Sequence, residues 1–267
     1  MAIHQKPRAR PDESDSPVSG REELEAYARS IGADVFGVAA AEAFREFRSK
    51  PQPDRFVPNA KSVIIVGVAN TPGMFESVSR PELAEITPDG SDFAGRADRY
   101  MDSPPTGAER YFLNDEAAVT TNEVMLLGYK ISWKLRREGY KAFYFSPFQQ
   151  DNRFRTAAFY FMPAMYLAGM GQMGYNCAIL TPEFGPRIWV TAIITDKEIE
   201  AGQPVGPRYY EGCKTCLECV RQCPSRALDG KGWKNAWRCG SYGCCGTCLS
   251  VCPVGRPEPV QSGGPSA

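Results

Sequence analysis

The sequence contains a single histidine, His4, and no hydrophobic run long enough to cross a membrane. A membrane-spanning helix needs about 20 consecutive, mainly apolar residues. The first 20 residues are polar and rich in proline, without the apolar core of a signal peptide or a twin-arginine pair. We therefore expect a cytoplasmic protein without a membrane segment, and we expect residues 1–20 and 258–267 to be disordered.

The sequence also lacks an excess of charge, because 31 basic residues balance 31 acidic residues. A chain with no net charge creates no overall field that attracts nucleic acid or an anionic membrane surface. A small molecule or another protein is therefore the expected partner, and nucleic acid is disfavoured.

Cysteine is almost absent outside one short segment, since nine of the ten cysteines lie between positions 213 and 252. In a cytosolic chain such a density indicates metal binding rather than disulfides. Zinc sites usually use histidine or pairs of Cys-x2-Cys, but the one histidine lies in the N-terminal tail. The spacing of the cysteines must therefore identify the metal.

The first cysteine run is Cys213-Lys-Thr-Cys216-Leu-Glu-Cys219-Val-Arg-Gln-Cys223-Pro224. It has the spacing of bacterial two-cluster ferredoxins, in which three cysteines bind one [4Fe-4S] cluster and the fourth binds the other. The run predicts Cys213, Cys216 and Cys219 as ligands of a first cluster and Cys223 as a ligand of a second.

The second run is Cys245-Gly-Thr-Cys248-Leu-Ser-Val-Cys252-Pro253. By the same logic Cys245 and Cys248 bind the second cluster, and Cys252 completes the first. A strict repeat would place the eighth ligand at position 242, where the sequence has Tyr242. Cys239 and Cys244 are both within reach, and we favour Cys239 because the adjacent Cys244 and Cys245 cannot easily face the same corner of a cluster. The isolated Cys177 is interpreted as a small buried hydrophobe.

Hydrophobic patterning in residues 21–205 predicts interleaved helices and strands. The expected helices span 21–31, 115–138 and 156–168, and the expected strands span 34–38, 61–69, 141–146 and 188–195. The apolar, β-branched strand at 61–69 is expected at the centre of the sheet, and residues 70–106 are expected to form a loop or lid. An α/β sandwich over 21–205 would then connect, through a linker at 202–207, to a cysteine domain at 206–257.

A two-cluster module with a split second motif, placed after an α/β domain, resembles the corrinoid-dependent iron-sulfur reductases, namely reductive dehalogenases and epoxyqueuosine reductases. Residues 231–242, Lys-Gly-Trp-Lys-Asn-Ala-Trp-Arg-Cys-Gly-Ser-Tyr, resemble the segment that both families place before their second motif. In that segment a detached cysteine supplies a ligand, which supports Cys239. Residues 168–187 are similar to the dehalogenase pattern of a glycine-rich turn followed by Thr-Pro-Glu-aromatic-Gly-Pro-Arg.

The resemblance covers roughly residues 115–256 and implies an α+β or α/β nitroreductase-like sandwich domain followed by a ferredoxin-like domain. It further implies a cobalamin-type corrinoid, bound base-off with no histidine beneath the cobalt. The residues that the resemblance implies as corrinoid contacts are Gly169, Gly171, Gly174, Thr181, Gly185 and Arg187.

Two positions depart from the families. After Gly174, dehalogenases usually carry an arginine and epoxyqueuosine reductases a lysine, whereas this chain has Tyr175. Residues 110–116 resemble the start of the active-site helix, and this places Glu116 where one family has a tyrosine proton donor and the other an aspartate. The resemblance thus implies Glu116 and Tyr175 as catalytic residues, with Asp115 as the adjacent alternative.

The function implied is an oxidoreductase that passes electrons through two [4Fe-4S] clusters to a corrinoid, which reduces a small organic substrate as in reductive dehalogenases. The expected partners are this substrate and an external electron donor such as a ferredoxin or flavodoxin. A homodimer is also considered, because nitroreductase-like domains often pair. The alternatives are an epoxyqueuosine reductase acting on tRNA, against which the neutral charge and the lack of a helical-repeat domain argue, and a non-catalytic electron-transfer or corrinoid-handling protein.

Overall fold

The computed structural model describes residues 20–47, 51–71, 109–147, 150–151, 156–241 and 244–256. The side chains of 109–118, 150, 151, 156 and 241 lie outside this description. The N-terminal lead-in up to residue 19, most of the predicted lid loop and the tail from residue 257 also lie outside the described residues. The expectations for those segments remain predictions.

The part of the chain before residue 205 alternates helices and strands, as the hydrophobic pattern predicts. The helices and strands are, in chain order, α1 (Arg21–Ser30), β1 (Val35–Ala40), β2 (Ser62–Ala69), α2 (Glu109–Arg137), β3 (Ala142–Tyr144), β4 (Gln150–Asp151), β5 (Thr156–Ala157), α3 (Phe161–Leu167), β6 (Gln172–Met173), β7 (Ile179–Leu180) and β8 (Ile188–Thr195). Two short 3-10 helices, Ala41–Glu46 and Pro53–Arg55, lie between β1 and β2.

Four of these strands form one sheet with the order β1-β2-β8-β3, and all neighbouring pairs are antiparallel. Ile64 of β2 pairs with Ile193 of β8, and Val63 pairs with Ile194. Because alternate side chains of a strand point to opposite faces, this register gives both faces of the sheet an apolar surface. The strand predicted at 61–69 is indeed central.

Each face of the sheet carries its own hydrophobic core, so the fold has three layers. Leu24 of α1 and the stripe of α2 (Val124, Leu127, Ile131 and Leu135) pack with Ile64 and Ile193 on one face. Phe159, Ala164 and Met165 pack with Ile65 and Ile194 on the other face. The predicted sandwich with a mixed α and β composition is therefore confirmed.

Two predicted helix boundaries differ from the structure. The long helix begins at Glu109, six residues before the predicted start at Asp115. The predicted helix at 156–168 is shorter, because β5 occupies Thr156–Ala157 and α3 spans only Phe161–Leu167. The ring of Phe159 stacks on that of Phe145 with their centroids 4.7 Å apart, so tertiary packing of aromatic rings replaces the first turns of the predicted helix.

The cysteine segment folds into short helical turns connected by loops. These turns are α4 (Cys213–Cys216), α5 (Glu218–Arg221), α6 (Ala236–Ser241) and α7 (Thr247–Ser250). Among the described helices, none combines the length and the hydropathy that a bilayer crossing requires.

Candidate metal centre

Single helical turns bring the cysteines of each motif to the same side. Cys213 and Cys216 lie at the two ends of α4, and residues three apart on a helix share a face. Leu217 then adopts a left-handed conformation with φ of 53°, which reverses the chain before α5 presents Cys219. Gly246, with a φ of 77°, occupies the position before α7 that Leu217 occupies before α5, and α7 carries Cys248. The backbone thus folds each motif around an open centre.

The four cysteines predicted for the first cluster line one cavity. This cavity has a volume of about 330 Å³, and its walls include the side chains of Cys213, Cys216, Cys219 and Cys252. Tyr175 and Leu180 from the α/β layers complete the wall. The spacing rule had assigned Cys252 to this group from the far end of the segment, and the fold brings it there.

The thiols of this first group raise one another's pKa. Burial, followed by the neighbouring thiols Cys248, Cys213, Cys252 and Cys216, raises the pKa of Cys219 to about 12. Four such thiols cannot all be ionised side by side unless a cation compensates their charge, and iron ions supply that charge and deprotonate their thiol ligands. The donor set therefore fits a [4Fe-4S] cluster.

A second group of thiols adjoins the first. Burial raises the pKa of Cys248 to about 12, and the neighbouring thiols Cys245 and Cys223 also raise it. A hydrogen bond with the thiol of Cys244, then burial, raises the pKa of Cys239, which also lies close enough to Cys248 to interact electrostatically. The four predicted ligands of the second cluster are thus neighbours, with Cys244 beside Cys239.

The choice between Cys239 and Cys244 as the eighth ligand stays a prediction. Cys239 lies half-buried on α6, whereas Cys244 is exposed and has a left-handed φ of 55°. The amide of Cys244 donates to the carbonyl of Cys239 over 3.0 Å, so the two residues are held together. Tyr242, the position that a strict repeat would use, lies outside the described residues.

The described cysteines are too far apart to surround a single ion. Within the parts of the chain that the structure describes, no three His, Cys, Asp or Glu side chains converge at the distances that one metal ion requires. In a cubane cluster each iron takes one thiolate, and the sulfurs are therefore spread more widely than around one zinc ion.

Backbone and hydroxyl donors reach several of the sulfurs. The amide of Ala227 donates to the sulfur of Cys223 over 3.3 Å, and the hydroxyl of Ser225 lies 3.5 Å from it. Burial raises the pKa of Cys223, but these hydrogen bonds outweigh it and the net pKa is lowered. Hydrogen bonds to sulfur are one of the means by which proteins tune cluster potentials.

Arg187, predicted as a corrinoid contact, instead fastens the end of the cysteine segment to the sheet. Its buried guanidinium donates to the carbonyls of Leu249, Cys252 and Val254 over 3.1, 3.0 and 2.6 Å. Burial lowers its pKa, which the nearby sulfur of Cys252 partly offsets. The arginine therefore positions Cys252 for the first group.

The loop from Thr181 to Gly185 makes backbone contact with the same end of the segment. Thr181 and Gly185 pair through both of their amides, and the amide of Phe184 donates to the Thr181 hydroxyl. Gly185 has a φ of 56°, and a Cβ there would lie 1.9 Å from the carbonyl oxygen of Val254. The amides of Thr181, Phe184 and Gly185 therefore donate hydrogen bonds within the loop. Position 185 requires glycine because the backbone of Val254 packs too closely for a side chain.

The three glycines of the predicted corrinoid turn also pack against the chain itself. A Cβ added at Gly169 would lie 2.4 Å from the carbonyl oxygen of Gln203. A Cβ added at Gly171 would lie 2.3 Å from the carbonyl oxygen of Leu180. At Gly174 it would lie 2.5 Å from the side-chain oxygen of Asn176. None of the six predicted corrinoid residues lines the cysteine cavity. The role of these residues in corrinoid binding remains a prediction.

The two predicted catalytic residues are placed differently. Tyr175 lines the cysteine cavity; burial raises the pKa of the Cys213 thiol, and the backbone amide of Tyr175 partly offsets that rise. Asp115 and Glu116 lie on α2, but their side chains lie outside the described residues. The structure therefore brings Tyr175 to the first thiol group and leaves Glu116 as a prediction.

Sequence reasoning missed two residues that contact the cysteine segment. Asn176 is buried, and its amide donates to the carbonyl of Cys248 over 3.3 Å. Lys234 lies near Cys239 and Cys248. Burial raises the pKa of Cys248, and the ammonium of Lys234 partly offsets that rise. Lys234 lies within residues 231–242, the segment in which the resemblance to the two families pointed only to Cys239.

Comparison with known proteins gives two sets of relatives. The chain is 33% identical over 108 residues to the tetrachloroethene reductive dehalogenase of Sulfurospirillum multivorans, a match that covers 32% of this chain and 22% of that protein. It is 40% identical over 75 residues to the epoxyqueuosine reductase of Lactococcus garvieae, a match that covers 28% of this chain and 20% of that protein. The chain is similar to two groups of reductases. No family profile matches it.

Solved structures of both groups share the fold. A reductive dehalogenase, whose structure is described as suggesting a mechanism for B12-dependent dehalogenation, superposes with a TM-score of 0.60 at 19% identity, covering 90% of this chain and 32% of that one. An epoxyqueuosine reductase solved with a modified tRNA stem loop gives a TM-score of 0.52 at 20% identity, covering 88% and 65%. The chain spans about a fifth of the length of the two curated relatives, at 22% and 20%. The suspected resemblance to corrinoid iron-sulfur reductases is confirmed.

Proposed function

We propose that this chain is an oxidoreductase that passes electrons through two [4Fe-4S] clusters to a corrinoid, which reduces a small organic substrate. The observation that carries the proposal is the cavity lined by Cys213, Cys216, Cys219 and Cys252. The ferredoxin spacing rule selects these four cysteines from the sequence alone, and the fold gathers them around one space. In this proposal a nitroreductase-like domain at 21–205 supports a ferredoxin-like domain at 206–257.

The chain's own residues have defined tasks at the first cluster. When bound, the cluster accepts and releases one electron at a time. The four thiolates hold it, and the backbone amide of Tyr175 lowers the pKa of Cys213, which burial raises. Arg187 holds the carbonyl of Cys252, while Tyr175 and Leu180 cover the cavity from the side of the sheet. The result is a site that is rigid and partly shielded from water.

The corrinoid part of the proposal rests on the relatives, one of whose structures is described as suggesting a mechanism for B12-dependent dehalogenation. We expect hydroxocobalamin added to iron-loaded protein to co-elute on gel filtration and to change its visible spectrum, because a protein that binds the cofactor base-off alters the cobalt ligands. The iron-free protein is the control for non-specific binding. Retention of no cobalt by the iron-loaded protein would contradict the proposal.

The two groups of relatives name two substrates for a direct test. Reduced, cobalamin-loaded protein would be supplied with either tetrachloroethene or an epoxyqueuosine-containing tRNA stem loop. We expect chloride release from the first substrate and no conversion of the second. The solved complex with a tRNA stem loop argues against our expectation that nucleic acid is disfavoured, so conversion of the stem loop is the second candidate function. Conversion of neither substrate by fully loaded protein would favour an electron-transfer or corrinoid-handling role.

Glu116 is the proposed proton donor, and its removal is expected to stop the chemistry without harming the cofactors. Glu116→Gln keeps the shape of the side chain but removes its transferable proton, so turnover should fall about a hundredfold. Tyr175→Phe should cost less, because it removes only one hydroxyl. Iron and cobalt contents should stay at the level of the unmodified protein. Full turnover by the glutamine variant would transfer the role to Asp115 or Tyr175.

A further inference from the structure

Two tryptophans of the cysteine segment are exposed to solvent. Trp233 and Trp237 leave 61% and 58% of their surface accessible, more than the other aromatic side chains among the described residues. An indole ring carries a large apolar area, and exposed aromatic groups of this kind mark contact sites for partners. Trp233 and Trp237 therefore point to a surface that another molecule covers.

A rigid backbone presents both rings. The carboxylate of Asp229 accepts hydrogen bonds from the amides of Lys231 and Trp233 over 2.8 and 2.9 Å, which closes the turn between them. The side chain of Asn235 accepts from the amide of Arg238 over 3.0 Å and caps the start of α6, on which Trp237 lies. The backbone that carries the indoles is thus fixed by local hydrogen bonds, which reduces the backbone entropy lost on binding.

The exposed indoles belong to the same stretch of chain as Cys239 of the second thiol group. Trp237 and Cys239 share helix α6, two residues apart. The ammonium of Lys234, one residue after Trp233, lies close enough to Cys239 and Cys248 to oppose the rise in their pKa. The first thiol group differs, because its cavity is walled by Tyr175 and Leu180 of the α/β layers. The segment that carries the exposed indoles therefore also carries Cys239, a predicted ligand of the second cluster.

Positive charge surrounds the indoles. Residues 226–238 contain four basic side chains and one acidic side chain, Asp229. Arg226, Lys231 and Arg238 are exposed. The glutamates of the first motif are already paired, Glu211 with Lys214 and Glu218 with Arg221. We call Arg226, Lys231, Trp233, Trp237 and Arg238 together the indole surface.

We propose that the indole surface docks a small acidic electron-carrier protein, which delivers electrons to the cluster held by Cys223, Cys239, Cys245 and Cys248. This inference rests on the proposed function, since it requires a cluster at those cysteines. Each transfer oxidises the carrier by one electron and reduces the cluster by one, and no bond forms or breaks. The positive rim attracts the acidic carrier, and the indoles supply a small apolar centre for a short-lived contact.

Charge reversal on the indole surface tests the inference with reduced flavodoxin as the acidic carrier. The double variant Lys231→Glu, Arg238→Glu and the single variant Trp237→Ser would be compared with Lys141→Glu, an exposed lysine outside the cysteine segment. Anaerobic stopped-flow absorbance gives the second-order rate of cluster reduction. We expect the double variant to be slower by about tenfold or more at low ionic strength. The difference should shrink in about 0.5 M salt, where charges are screened.

Two further readouts separate docking from damage to the clusters. Dithionite, a small reductant that needs no docking surface, should reduce all variants at the rate of the unmodified protein. Calorimetric titration with oxidised flavodoxin should show weaker binding for the double variant and for Trp237→Ser, and unchanged binding for Lys141→Glu.

Three results would overturn the inference. The first is reduction of the iron-loaded double variant by flavodoxin at the rate of the unmodified protein. The second is a Lys141→Glu variant whose reduction by flavodoxin is slowed as much as that of the double variant. The third is loss of binding to a tRNA anticodon stem loop with flavodoxin reduction intact, which would make the indole surface an RNA contact. Unmodified protein that holds no iron after reconstitution would overturn the proposed function and the docking inference together, whereas the first three results leave the proposed function standing.

Discussion

Replacing Cys252 by serine will remove one cluster and leave the other. Two cubane clusters give about eight irons and eight sulfides per chain, and loss of the first cluster leaves about four of each. The effect is large because Cys252 is the only ligand of the first group that comes from the second motif, and it lines the same cavity as Cys213, Cys216 and Cys219. Iron and sulfide analysis after anaerobic reconstitution measures it.

Cys177→Ser is the matched control for this experiment. Cys177 is a free cysteine of intermediate exposure whose thiol contacts the carbonyl of Gly232 over 3.2 Å, and burial raises its pKa to about 11. It is no predicted ligand, so about eight irons should remain. About four irons in the unmodified protein would mean that only one cluster forms.

The same assay decides the eighth ligand. Cys239→Ser should remove the second cluster, while Cys244→Ser should keep both, because Cys239 lies half-buried beside Cys248 and Cys244 is exposed. The opposite pattern would assign the ligand to Cys244.

Arg187→Met will loosen the attachment of the cysteine segment and lower the stability of the whole protein. The substitution keeps an apolar stem but leaves the carbonyls of Leu249, Cys252 and Val254 without their donor. Hydrogen bonds to a charged group contribute at least about 1.5 kcal/mol each, so the loss of three gives an expected cost of about 4–5 kcal/mol. The midpoint of anaerobic thermal unfolding should fall by about 10 °C.

Arg208→Met provides the comparison, since Arg208 forms an ion pair with Glu46 over 3.1 Å in which both side chains are nearly half exposed. Exposed pairs contribute less than about 1 kcal/mol, and the expected shift is correspondingly small. Equal midpoints for the two variants would show that Arg187 does not anchor the segment.

Local patterns predicted most of the sheet and the helix stripe. A run of β-branched residues such as 62–69 favours a strand, and the α2 stripe follows the helical period whatever surrounds it. The helix predicted at 156–168 was partly wrong because its first residues serve ring packing between Phe159 and Phe145. That contact joins distant parts of the chain and leaves no periodic signal.

The sequence by itself determined the ligands of the candidate clusters, because a cubane needs thiols at fixed spacings and those spacings are local. It also predicted that Cys252 crosses to the first group. Only the tertiary structure decided what surrounds them. Arg187 and the glycine turns, taken from sequence as corrinoid contacts, lie against the cysteine segment and the chain's own backbone. The exposure of Trp233 and Trp237 could not be predicted from local pattern either, since exposure depends on what the rest of the chain covers.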